Sequence, residues 1–172
     1  MVSKLDTNLI DIKSKPSIHK YSEIVLESQF EVLFNTVTEL AATQCNVPIA
    51  LITFLDSDSV WVYSKIGSPG KTTKPARNRL CKVIPKDLNF FEILDVDIDV
   101  QYHHHSLVLD AMKTKYYAGA KINLPLGEMN GVLCIFDTKK HTLTARQRNL
   151  LLGLAQIIEK SLVTKSFLKC VI

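Results

Sequence analysis

No stretch of this sequence is apolar for long enough to cross a bilayer, so a membrane-spanning role is not expected. Basic clusters are missing too. The net charge is +4, but the Lys and Arg residues are scattered and the longest basic run is the pair Lys139-Lys140. That is too little to bind nucleic acid or an anionic membrane surface, and neither is an expected partner. The first residues, M-V-S-K-L-D-T-N-L-I-D-I-K, place acids among apolar side chains and have no signal-peptide core, so the expected location is the cytoplasm. Cysteine is sparse: Cys45, Cys81, Cys134 and Cys170 show neither C-x-x-C nor a metal-ligand spacing, and reduced, mostly buried thiols are expected. There is no G-x-x-x-x-G-K-S/T loop, G-x-S-x-G elbow or H-E-x-x-H helix, and spacing alone assembles no catalytic triad.

What is present fits one domain with a sizeable core: 172 residues, of which 47% are hydrophobic and 22% charged. Residues 1–20 are polar, broken by Pro16, and read as a tail or lead-in; residues 21–172 read as a single domain. A helical pattern starts near Ser28, where S-Q-F-E has the capping-box form, and Phe30, Leu33, Phe34, Val37, Leu40 and Ala41 predict its apolar face. Asn46 ends it. Pro48–Leu55 reads as a central strand, Asp56–Ser59 as a turn and Val60–Ile66 as a second strand. Gly67–Pro75 is an exposed loop, Arg77–Ile84 a short helix, and Phe90–Leu94 a third strand. Residues 95–113 read as short helices or a crossing segment. Tyr116–Leu124 and Val132–Asp137 form a hairpin, with Gly119 marking a bulge or a close backbone approach. A second capping box, T-A-R-Q at Thr144 and Gln147, opens a C-terminal helix with a stripe at Leu150, Leu151, Leu154, Ile157, Ile158 and Leu162. Short hairpin links with helices at both ends predict an α+β fold around an antiparallel sheet.

Three clusters bear on chemistry. In an extended segment, His103 and His105 of the run His103-His104-His105 share a side and form half of a metal clip, but no further ligands can be placed, and a polar loop is the plainer reading. Asp95, Asp97 and Asp99 alternate and could share a face for a divalent cation or acid–base chemistry. Cys81 follows Arg77-Asn78-Arg79-Leu80, and nearby cations can lower a thiol pKa; the competing reading is a half-buried small hydrophobe.

The pattern of residues resembles a GAF domain, the sensor module of bacterial signalling proteins and phytochromes. The branch it resembles runs P-x-A-x-I-S-L-x-D, then W, a Cys, D-P-R-F-x-x-N-P-x-V, F-Y-A-G-A-P-L, G-x-L-C-V-I-D and L-T-x-x-Q. The matches are Pro48, Ala50, Leu55-Asp56, Trp61, Gly67, Cys81, Asp95, Asp99 and Val108, then Tyr117-Ala118-Gly119-Ala120, Gly131, Leu133-Cys134, Asp137, Leu143-Thr144 and Gln147. The resemblance covers about residues 28–165, with no gap between Asp99 and Asp137.

The resemblance implies a GAF/PAS-like, six-stranded antiparallel sheet with the terminal helices on one face. Short helices and loops between residues 67 and 115 would close a pocket on the other. It implies a non-enzymatic small-molecule sensor that dimerises through its terminal helices and signals through a separate output protein. Cys81, Asp95, Tyr117 and Lys121 are the expected ligand contacts, although Asp95 and Asp99 also match positions that resemble turn and helix caps. The sequence departs from the pattern at several places: R-L-C-K-V stands for S-F-C-x-H, Lys121 for Pro, Gln101 for Arg and Ser106 for Pro. No cysteine precedes a histidine, so the bilin-attachment motif is missing and no bound cofactor is expected. Two alternatives stand beside the sensor: a stand-alone enzyme like the free methionine-(R)-sulfoxide reductases using Cys81, and a degenerate GAF domain that acts as a protein-interaction module.

Overall fold

The computed structural model describes residues 24, 27–55, 60–67, 87–98, 114–124 and 130–171. Helix α1 spans Ser28–Cys45 and stops where Asn46 takes the left-handed conformation (φ 54°). There the Asn46 and Val47 N–H groups bond back to Thr43 and Ala42 carbonyls, satisfying the last turn. The expected S-Q-F-E capping box does not form. Ser28 is already helical and Glu27 is the N-cap, without a side-chain cap bond. The Glu27 carboxylate is drawn instead to Lys169 (2.8 Å) and Lys165 (3.2 Å), pairs that link the two terminal helices.

Five strands follow the expected order: β1 Ile49–Leu55, β2 Val60–Ile66, β3 Phe90–Ile93, β4 Tyr116–Asn123 and β5 Asn130–Asp137. They form one antiparallel sheet in the order β2-β1-β5-β4-β3. A sixth strand is not among the described residues. Gly119 pairs regularly with Cys134 and Phe91, so it marks no bulge; the register shift lies between Ile52 and Thr53 in the β1–β2 pair. A close approach is seen at Gly131, where a Cβ would lie 2.7 Å from the Phe54 ring. Gly67 is fixed by conformation as well, with φ +73° and Pro48 O in the space a side chain would need.

Helix α2 spans Ala145–Val171, about 40 Å at 1.5 Å per residue. Its capping box forms as expected: Thr144 Oγ1 accepts from Gln147 N (3.2 Å), and Gln147 Oε1 accepts from Thr144 N (2.9 Å). Both helices lie on one sheet face. There Phe30, Phe34 and Val37 of α1 and Leu151, Ile158 and Leu162 of α2 bury against Ile52, Phe54 and Leu133. Two residues expected on these stripes point to solvent instead: Leu40 is 42% exposed and Ile157 49% exposed. The surface each helix buries is narrower than the apolar periodicity suggested.

Candidate ligand-binding face

Strand side chains alternate, so the residues between those under the helices face the other way. This second face carries a separate apolar cluster that includes Leu51, Ile93, Tyr117, Val132, Cys134 and Phe136. Its centre is aromatic. The Tyr117 ring meets Phe136 edge-on at 5.1 Å and Phe91 at 6.4 Å, distances at which aromatic quadrupoles attract. Cys134 lies beside them, its Sγ 3.6 Å from Leu51 O, and Thr53 is wholly buried on the same side of β1. Lys121 shares the face of Tyr117, opposite Val132. It lies four residues further along β4, roughly 13 Å away at strand spacing. Tyr117 and Lys121 are thus brought to one face of the sheet, four strand positions apart.

Asp95 lies at the Tyr117 end, since Ile93 pairs with Tyr117 and the chain then turns. Asp95 is 6% exposed, and both its carboxylate oxygens are engaged within the protein. Oδ1 accepts from Asp97 N (3.1 Å), and Oδ2 pairs with Lys140 (2.6 Å). Lys140 holds the Asp95 carboxyl below its ordinary range, against the opposing pull of desolvation, with the Asp97 N–H adding to the effect. Asp95 therefore holds a turn at residues 95–98. It also borders an open cleft of about 470 Å³ that Leu94, Ile98, Lys140 and His141 help to line. Asp97 is mostly exposed and pairs with Lys115, whose pKa rises as a result.

Cys81, Arg77, Arg79, Asp99, Gln101, Ser106 and the three histidines 103–105 lie outside the described residues, as does most of the 67–115 segment expected to close the pocket. Among the described residues, no group of three or more His, Cys, Asp or Glu is arranged to hold a metal, and no helix is long and apolar enough to cross a membrane. Cys45 is fully buried in the helix-side core, and burial pushes its thiol up to about 11, far from the range of a reactive thiolate.

A constellation that the sequence did not suggest centres on Glu92. Its Oε1 accepts from Tyr116 OH (2.8 Å) and Leu143 N (3.2 Å), and its Oε2 pairs with Arg148 (3.0 Å). The Arg148 guanidinium also stands 5.1 Å over the Phe90 ring, a cation–π contact. Burial, then the bond to Glu92, raises the Tyr116 phenol pKa well above its ordinary value. The partners are 24, 51 and 56 residues from Glu92 in the chain, so no local spacing announces them.

An antiparallel sheet with both terminal helices on one face is the layout of a GAF domain, and comparison with solved structures agrees. The GAF domain of PixJ from Thermosynechococcus elongatus, in its blue-light-absorbing form, superimposes with a TM-score of 0.67 at 11% identity, covering 82% of this chain and 89% of that one. The phycoerythrobilin-bound GAF domain of a cyanobacterial phytochrome does so with a TM-score of 0.60 at 14% identity, covering 91% and 98%. The chain thus has the GAF fold. In sequence it is similar to a cyclic di-GMP phosphodiesterase of Pseudomonas aeruginosa, 28% identical over 113 residues, which is 66% of this chain but 19% of that protein. No family model matches the chain.

Proposed function

We propose that the chain is a non-enzymatic, GAF-type sensor that binds a small molecule against the sheet face opposite its helices and transmits the occupancy through them. The observation that carries this reading is the division of the sheet. One face is filled by α1 and α2, while the other presents a fully buried Tyr117 between two further rings, with Thr53, Cys134 and Lys121 among apolar neighbours. A mostly apolar surface with a few polar groups suits a small ligand. Lys121 and Tyr117 are the proposed contacts, with Asp95 holding the turn at the rim and Cys81 as a further contact from the segment beyond. The proposed ligand is not attached to the protein through a Cys-His motif, since the sequence has none.

The proposed active form is a homodimer through the terminal helices. Val32 is 68% exposed, and Phe167 and Val171 near the end of α2 are 66% and 84% exposed. Helix α1 carries Glu31 and Glu39 and no base, whereas α2 carries Arg146 and Lys160 besides Arg148, Lys165 and Lys169, which are already paired with Glu92 and Glu27 within the chain. Opposite charges on the two helices favour α1 of one copy against α2 of the other.

One observation favours a second reading. Tyr117 has no exposed surface, and a face plugged by its own rings would suit a protein-interaction module better than a sensor. A thermal-shift screen of the whole chain against nucleotides (cyclic dinucleotides included), amino acids and bilins separates the two. A ligand at a hundredfold its Kd raises Tm by about 5 °C or more. No shift with any of the three classes overturns the sensor reading.

A further inference from the structure

We propose that strand β3 is a lever that couples the candidate ligand face to the first turn of α2, with Glu92 as its joint. The proposal takes that face as the site but requires no particular ligand. β3 is four residues long and, among the described residues, pairs only with β4. Its odd residues look one way: Phe91 packs on Tyr117, and Ile93 lies in the same apolar cluster. Its even residues look the other way. Phe90 lies under Arg148, and Glu92 takes one donor each from β4, from the segment leading into α2, and from the first turn of α2 itself. Side chains one residue apart therefore touch the candidate ligand face and the start of the C-terminal helix.

The Glu92 side chain is 10% exposed and these three donors satisfy its carboxylate oxygens; a largely buried carboxylate that loses them is left unsatisfied at considerable cost. Arg148 is better placed to follow Glu92 than to part from it. A second tie runs parallel, from Asp95 on the turn after β3 to Lys140 in the same segment before α2. A short strand that, among the described residues, is bonded on one side is easier to shift than a central one, and these ties give its displacement one destination. Rearrangement of the Phe91–Tyr117–Phe136 rings, by a ligand or by substitution, is delivered to residues 143–148.

A double-mutant cycle read by amide hydrogen exchange tests the lever on the full chain. Phe91→Ala perturbs the ligand face without touching α2, and Glu92→Gln keeps the shape and two acceptor contacts but removes the charge that holds Arg148. Phe91→Ala is expected to speed exchange at amides 146–150 by about tenfold in the native background, and by less than about twofold in the Glu92→Gln background. Amides 160–166 of the same helix serve as the internal control and stay within about twofold. Equal acceleration in both backgrounds, or none in either, overturns the proposal: Glu92 is then a static brace. Phe91→Leu replaces Phe91→Ala if the latter fails to fold, with the same comparison at smaller amplitude. A ligand screen that finds nothing overturns the proposed function and leaves this cycle decisive. Additive exchange overturns the lever and leaves the ligand question standing.

Discussion

The two faces of the sheet are built from alternate residues of the same five strands, yet they are composed differently. Under the helices, Ile52, Phe54, Ala118, Ala120, Ile122, Leu133 and Ile135 are buried, and small residues sit where large rings need room. Gly131 is the extreme case, leaving only the space the Phe54 ring occupies. The other face alternates Tyr117, Gly119 and Lys121 along β4, and sets Thr53 and Cys134 beside aliphatic neighbours. The helix-side face confines its polar network, Glu92 with Tyr116 and Arg148, to the β3–β4 pair, whereas the second face sets Thr53 and Cys134 among apolar side chains around the Tyr117 ring. A face selected only to hold the domain together would have little use for Lys121 in the middle of a sheet.

Substitutions break or sharpen this contrast. Phe34 is 1% exposed, its ring 5.9 Å from Phe54, and Phe34→Ala is expected to lower stability in urea unfolding by about 3–5 kcal/mol. Gly131→Ala drives a methyl group into the Phe54 ring and is expected to cost about 1–3 kcal/mol by overpacking, measured in the same way. Thr144→Ala removes half of the α2 capping box, and a loss of about 1 kcal/mol is expected, with faster amide exchange in the first turn of α2.

A smaller effect appears in acid. The folded-state pKa of Asp95 is lowered, so the unfolded chain binds its proton more readily and protonation favours unfolding. The Asp95 contribution is fully present above about pH 4 and is lost as pH falls through the folded pKa. Lys140→Ala is therefore expected to lower stability modestly above about pH 4, with the variant and parent curves converging as pH falls and Asp95 is protonated in both, so that the acid limb is flatter. Lys121→Ala, on the second face, is expected to alter stability by less than about 0.5 kcal/mol while weakening any anionic ligand found by the screen. Should Lys121→Ala instead destabilise as much as Gly131→Ala, the two faces would not differ in kind.

Much of this architecture could be read from local pattern. The strand order, the terminal helices and the T-A-R-Q cap follow from periodicity and short-range spacing, and the Y-Y-A-G-A hairpin carries the resemblance to the GAF fold. The errors fall where a distant partner decides. Ser28 looks like a cap because Glu31 follows at the right spacing, but Glu27 takes the N-cap and is pulled toward Lys165 and Lys169. Leu40 and Ile157 keep the helical period but lie beyond the edge of what the sheet covers. Nothing around Gly131 in the sequence announces its role, which comes from the ring of Phe54 on a neighbouring strand. Glu92 was illegible for the same reason, since a single acid between two phenylalanines on one side and Ile93 on the other reveals nothing of three donors tens of residues away. Of the candidate site, Tyr117, Lys121 and Asp95 can be placed on or beside one face, whereas Cys81 falls outside the described residues.

The central claim is that a ligand binds the sheet on the side away from the helices, and methyl-labelled NMR titration with a compound from the thermal screen tests it most directly. Leu51 and Ile52 are adjacent in the chain, as are Val132 and Leu133, and each pair straddles the sheet. The account predicts ligand-dependent shifts for the methyls of Leu51, Val132 and Ile93, with those of Ile52 and Leu133 moving far less. Shifts confined to Ile52 and Leu133, or to Leu168 and Val171 at the end of α2, would contradict it.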